Sequence, residues 1–294
     1  MKFFPFCGAL VFWAALSHPV LAQSLNFGAS PNGAPVPINI TASQGIEWQQ
    51  AEHVVIATGH AQAVRGAVTV DADQLIAHYR KKPGTAAPTA SSGADALNQG
   101  DDELYELDAI GHVHIFTATD NAYGDHAVYS MDSAVLVLTG RHLRLTTPTD
   151  VITAKDAIEY YSTKREAVAR GDALIVARNG RSIAADTLIG YLAPATAAKG
   201  VANAGELAQT GRLRKVDAIG HVVIHTNTDT ATGTRGVYLP ETSMARLGGD
   251  VHILRGPNEL TGSDALLNLK TGVATLLAAP GGQVAGTVLP GSGP

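Results

Sequence analysis

Apolar and polar residues alternate with a period of two through most of this chain. In Gly111-His-Val-His-Ile-Phe, Val113 and Ile115 point to one side while His112, His114 and Phe116 point to the other. That is the alternation of a strand with one buried face. No stretch after the first 22 residues keeps a helical period, so the pattern predicts an all-β chain. The eight residues 108–115 (DAIGHVHI) return as 217–224 (DAIGHVVI) with seven identities. Such a copy means that one structural unit has been used more than once.

The copy belongs to a larger duplication. Residues 139–161 align without a gap on 247–269, pairing Gly140 with Gly248, Thr153 with Thr261, Asp156 with Asp264 and Ala157 with Ala265. Apolar positions coincide as well: Leu143 with Val251, Leu145 with Ile253, Ile152 with Leu260, Ile158 with Leu266. A further match sets Ala72-Asp73-Gln-Leu-Ile against Ala185-Asp186-Thr-Leu-Ile. The repeating motif is a glycine, an apolar alternation, a polar turn, a second alternation with an Ala-Asp step, and a third short apolar run. It starts six times, from Gly59, Gly111, Gly140, Gly171, Gly220 and Gly248.

These patterns divide the chain. Residues 1–22 carry Lys2, an apolar run from Ala9 to Leu16, and Val20-Leu21-Ala22 before Gln23. They predict a secretory signal peptide cleaved after Ala22, too short in its apolar run to span a bilayer. Residues 23–39 are Pro-, Gly- and Ser-rich and are expected to be a flexible lead-in. A single domain of two homologous halves is expected over 40–278, with a flexible tail at 279–294. Two low-complexity stretches, 81–103 and 193–211, occupy the same place in the repeat and are expected as disordered insertions rather than domain boundaries.

Composition narrows the function. The only cysteine, Cys7, lies in the leader, so the mature chain has no thiol chemistry. Without Lys2 the chain has 20 basic and 26 acidic side chains, a net charge of −6, which argues against a nucleic-acid partner. The product is expected to be exported and soluble.

Candidate chemistry is sparse. His112 and His114 share a strand face, and His126 and His142 are further candidate metal ligands, but the copy replaces His114 with Val223 and Phe116 with His225. Solvent-facing strand histidines explain this as well, and the sequence calls for no metal and no cofactor. Asp73, Asp156, Asp186 and Asp264 recur with the repeat, as a turn-forming aspartate does; a catalytic pair occurs once. No nucleophile elbow, phosphate loop or dinucleotide fingerprint is present, so no enzymatic activity is expected.

Strands such as 134–138 (AVLVL) and 174–176 (LIV) are apolar on both faces, more than one wetted sheet face requires. Two explanations stay open from pattern alone. The surplus is sheet packed on sheet, or two inner faces enclose a groove for an apolar guest, with small residues at Ala61, Ala63 and Ala173 leaving room. Arg80, Lys81, Lys82, Arg212, Arg214 and Lys215 flank the insertions, either as ordinary solvated charge or as partners for phosphates.

Ile56-Ala-Thr-Gly-His-Ala-Gln-Ala63, then Val68-Thr-Val-Asp-Ala-Asp73, and Leu136-Val-Leu-Thr-Gly140 after the DAIGHVHI strand together resemble the OstA-like family. That family includes the lipopolysaccharide-transport protein LptA and the periplasmic N-terminal domain of LptD. The resemblance covers most of residues 45–278. It implies an open, twisted β-jelly roll in the periplasm whose two sheets hold lipid acyl chains. It also implies transport of lipopolysaccharide toward the outer membrane, with an inner-membrane extractor and an outer-membrane receiver as partners, and head-to-tail self-association. Strand parity, counted from the repeat glycines, assigns the inward, lipid-facing residues as Val70, Val113, Ile115, Leu143, Leu145, Ile183, Val222, Ile224, Val251 and Ile253. Two rivals remain: an exported structural or adhesive β-solenoid, and an exported carbohydrate-active protein with a close carboxylate pair.

Overall fold

The computed structural model describes residues 38–81, 102–193, 213–278 and 282–287. The expected leader, nearly all of the lead-in and the greater part of both insertions lie outside these residues. Among the described residues there are eighteen strands and no helix, as the alternation predicts. The first are β1 (Asn39–Thr41), β2 (Gly45–Gln49), β3 (Val54–Arg65), β4 (Val68–Lys81), β5 (Asp102–Phe116) and β6 (Asn121–Ser130). Four short strands follow, β7 (Val135–Thr139), β8 (Leu143–Thr146), β9 (Asp150–Ala154) and β10 (Ala157–Tyr161). Six long ones come next: β11 (Glu166–Ala177), β12 (Ser182–Leu192), β13 (Leu213–His225), β14 (Asp229–Leu239), β15 (Met244–Arg255) and β16 (Asn258–Asn268). β17 (Val273–Leu277) and β18 (Ala285–Thr287) end the series.

Every pairing is antiparallel, and the long strands follow one another as a meander. The parallel β-solenoid is thereby excluded for the described residues. β1 and β2 both lie along β3 at one end, and β17 and β18 both lie along β16 at the other.

Each long strand bends in the middle. The register slips at Thr58/Ala61 in β3, Ile110/Val113 in β5, Arg170/Ala173 in β11, Ile219/Val222 in β13 and Gly248/Val251 in β15. At those points two successive residues take left-handed backbone: Gly59-His60, Gly111-His112, Gly171-Asp172, Gly220-His221 and Gly249-Asp250. Glycine enters that region freely, and His and Asp are enriched there among other residues. The extra residue makes a β-bulge that bends its strand. Between β7 and β8 the bend, at Gly140 to His142, becomes a full break, and β9 and β10 break likewise.

An aspartate from a neighbouring strand sits over several of these glycines. A methyl group at Gly111 would stand 2.2 Å from Asp73 Oδ2, and one at Gly220 would stand 2.0 Å from Asp186 Oδ2. The same residues anchor the following histidine, His112 Nδ1 to Asp73 at 2.7 Å and His221 Nδ1 to Asp186 at 2.9 Å. The duplicated DAIGH and Ala-Asp motifs therefore build the same corner twice.

The bends divide the sheet into two layers. The first layer holds the hairpin halves, residues 61–71, 113–124, 143–154, 173–185, 222–233 and 251–262. The second holds the remaining halves. Most buried side chains of both layers form one apolar cluster, from Ala57 in β3 to Leu267 in β16, and Val55, Ala77, Tyr79 and Leu107 form a smaller one at the far end of β3 to β5. The layers thus pack face to face as a sandwich, their strands joined through the bends.

Candidate functional site

The interior of this sandwich is the first candidate site. Val70, Val113, Ile115, Leu143, Ile183, Val222, Ile224, Val251 and Ile253 are all buried, and Leu145 is half-buried against the same cluster. The structure brings all ten together, and all ten belong to the first layer. The facing wall comes from the second layer: Leu75, Tyr129, Leu136, Leu138, Ile158, Leu188, Val216, Leu247 and Leu267 are its larger members.

The part of the second wall on the aspartate strands, with Leu75 and Leu188, escaped the parity count for a physical reason. In the glycine strands the inward positions keep one parity across the bulge, as in Leu107, Ala109, Val113 and Ile115 of β5 and Val216, Ala218, Val222 and Ile224 of β13. In the aspartate strands the parity switches, so β4 buries Val68, Val70 and Ala72 and then Leu75, Ala77 and Tyr79. Counting from the glycines follows the first kind of strand through the bend and loses the second.

The two layers lie in direct contact. Ala61, Ala63 and Ala173, expected to leave space, are fully buried. A depression lined by Ile183, Val216, Ile224 and Tyr238 leaves no room for even a water molecule between the layers. Polar contacts fasten the rim opposite the bends. Arg181 Nη1 donates to the Leu269 carbonyl at 3.0 Å, and the Arg255 guanidinium donates to the Gly272 carbonyl. Each contact ties a first-layer strand end to the second-layer hairpin between β16 and β17. Arg255 is itself held by Asp229 through two 2.6 Å bonds, and this partner lowers the Asp229 pKa.

A shared Thr-x-Thr-Asp loop motif closes three first-layer hairpins: Thr117-Ala-Thr-Asp120, Thr147-Pro-Thr-Asp150 and Thr226-Asn-Thr-Asp229. In each, the threonine N–H donates to the aspartate carbonyl and the aspartate N–H donates back to the threonine hydroxyl, at 2.9–3.0 Å.

The other sequence candidates separate. His112 is exposed and bound to Asp73. His114 stacks between Phe116 and Tyr123, with Nε2 3.0 Å from Asn121 Oδ1. Four acidic candidates lie at corners: Asp73, Asp156 and Asp186 each pack over a neighbouring glycine, and Asp264 accepts from Arg246. Among the basic flankers, Arg80 binds Glu103 and Asp132, and Lys215 binds Asp217, each at 2.8 Å. Lys82 and Arg212 lie outside the described residues.

The Asp73 carboxylate raises the His112 pKa by hydrogen bonding and by charge. We expect an NMR titration to place the His112 imidazole midpoint above the usual ~6.5, and Asp73→Asn to bring it back. A midpoint unmoved by that substitution would mean that the contact is not formed in solution.

Residues 39–165 match the model of a family described as LptA/(LptD N-terminal domain) LPS transport protein. This segment takes in β1 to β10 and includes the strand motifs on which the family resemblance rested. Among solved structures the chain is similar to LptH from Pseudomonas aeruginosa, described as the LptA homologous periplasmic component of the conserved lipopolysaccharide transport device. The identity is 13%, the match covers 48% of this chain and 95% of that one, and the TM-score is 0.39. No curated protein matches the chain.

Proposed function

We propose that this protein is a periplasmic lipopolysaccharide-transport component that shelters acyl chains between its two layers on the way from the inner to the outer membrane. The observation that carries this reading is the continuous apolar cluster running from β3 to β16, in a chain whose residues 39–165 match a lipopolysaccharide-transport family. Each CH₂ taken from water into such an interior contributes ~0.8 kcal/mol. No covalent chemistry is required.

Because the layers are closed on each other, entry of a chain requires them to part at the rim held by Arg181 and Arg255. The bends at the opposite side then act as the hinge. The outer edges, β1 and β2 at one end and β17 and β18 at the other, offer backbone groups for pairing with an added strand. An inner-membrane extractor, an outer-membrane receiver or a second copy would dock there.

The test places a photo-crosslinking amino acid at Ile115 or Ile224, inside, and at Tyr123 on the outer surface, in cells making lipopolysaccharide. Interior positions are expected to capture the lipid and Tyr123 is not. The Arg181→Ala/Arg255→Ala variant is expected to raise interior capture. Depletion of the protein should lower arrival of lipopolysaccharide at the cell surface. No interior capture, or equal capture on both faces, would defeat the proposal.

A further inference from the structure

We propose that His78, Glu106 and Asp108 form a zinc-type divalent metal site on the outer face of the second layer, with His126 at its edge. The four residues come from three adjacent strands, β4, β5 and β6. His78 Nε2 lies 3.0 Å from Asp108 Oδ2, and His126 Nε2 lies 3.9 Å from Asp108 Oδ1. One ligand atom from each of His78, Glu106 and Asp108 falls within 4.8 Å of the others. Two ligands ~2.0–2.1 Å from a tetrahedral zinc stand a little over 3 Å apart, so the His78–Asp108 pair is already at that separation. One imidazole and two carboxylates, with water in the fourth position, suit a borderline cation of this class.

The duplicate supplies the independent argument. The strand register places Tyr191 opposite Lys215 where the first half has His78 opposite Glu106. It places Ile189 opposite Asp217 where the first half has Ile76 opposite Asp108. It places Arg235 opposite Ile219 where the first half has His126 opposite Ile110. Only the aspartate is kept. In the second half its charge is met by the chain's own cation, Lys215 Nζ at 2.8 Å from Asp217 Oδ2 and 4.2 Å from the Tyr191 ring centre. In the first half the lysine is replaced by a second carboxylate, and the tyrosine and arginine are replaced by imidazoles. The nearest arginine along β4, Arg80, is engaged with Glu103 and Asp132. Two carboxylates with no fixed cation among the described residues, beside imidazoles able to donate lone pairs, take up an external cation where the copy carries an internal one.

The site does not depend on lipid transport, so the two proposals stand or fall separately. The test uses untagged protein freed of metal, zinc chloride as probe with a chromophoric chelator as competitor, and cobalt(II) as spectroscopic substitute. One zinc per chain is expected, with cobalt absorption of tetrahedral intensity. Glu106→Lys and His78→Tyr copy the residues that the second half already carries at these places, so the fold accommodates them. Each is expected to weaken binding at least tenfold. The converse variant, Tyr191→His/Lys215→Glu/Arg235→His, is expected to raise the stoichiometry from one to two. Absence of saturable binding, or binding unchanged when Glu106→Lys and His78→Tyr are combined, overturns the proposal whatever the converse variant does.

Discussion

Val113→Asp and Ile224→Asp are each expected to destabilise the fold by ~3–5 kcal/mol, the range of an uncompensated charge placed in a packed core. Val113 and Ile224 are 1% and 2% exposed, in one cluster with both layers around them. Neither site offers a donor to a new carboxylate, so the group must either ionise without a partner or take up a proton. For a protein of this size the thermal midpoint should fall by roughly 10 °C or more. His112→Asn is the control. Its side chain is 90% exposed, its ion pair with Asp73 lies at the surface, and Asn tolerates the left-handed backbone found there. Exposed pairs contribute ~0–1 kcal/mol, so this midpoint should barely move. Thermal unfolding followed by circular dichroism decides it, and similar losses from both faces would mean that the inward assignment is wrong. Lipid capture by the two aspartate variants carries meaning only if they stay folded. For that reason the crosslinking test above leaves the interior hydrophobic.

The elements most legible from sequence were those set by local rules. Period-two alternation marks β5 and β13, whereas the bend inside each shows only in the backbone, where Gly111-His112 and Gly220-His221 are left-handed and His is among the few residues that follow glycine into that region. The aspartates of the Ala-Asp steps were expected as structural from their recurrence, and Asp73 and Asp186 do hold corners. What was not legible is set by pairing between strands. The part of the second wall with Leu75, Tyr129 and Leu188 lies beyond a parity switch that only the register of the neighbouring strand reveals. His78 and His126 were likewise separated in sequence from Asp108, and only the alignment of β4, β5 and β6 brings them to it. The Thr-x-Thr-Asp loops were visible in the chain, but their meaning depends on the partner each aspartate finds.

That partner decides a second large effect, at Asp120. Asp229 is held by Arg255, and Asp150 accepts a hydrogen bond from the Thr149 hydroxyl. Asp120 occupies the corresponding loop position and, like Asp150, has a hydrogen bond with the threonine before it, Thr119, but its Oδ1 is buried without a hydrogen-bond partner among the described residues, and burial outweighs the Thr119 contact. Burial pushes its pKa up to about 6, against an ordinary value of 3.8. The folded protein therefore keeps a proton that the unfolded chain releases. Below pH ~3.8 both states are protonated and there is no penalty. As pH rises from ~3.8 to ~6 stability falls, and above that it stays low, by on the order of 3 kcal/mol at the full shift. Asp120→Asn removes the titration and keeps the backbone bonds of the loop to Thr117. We expect the variant to match the parent near pH 4 and to melt several degrees higher at pH 7.5. Melting curves across that range provide the check. A difference that is the same at both pH values, or a loss of stability at pH 7.5, would show that Asp120 is ionised and well solvated in the folded chain. An ionised Asp120 at the tip of the β5–β6 hairpin also weakens the closed sandwich at neutral pH, so the same substitution should make the layers harder to part and lower lipid capture at Ile115.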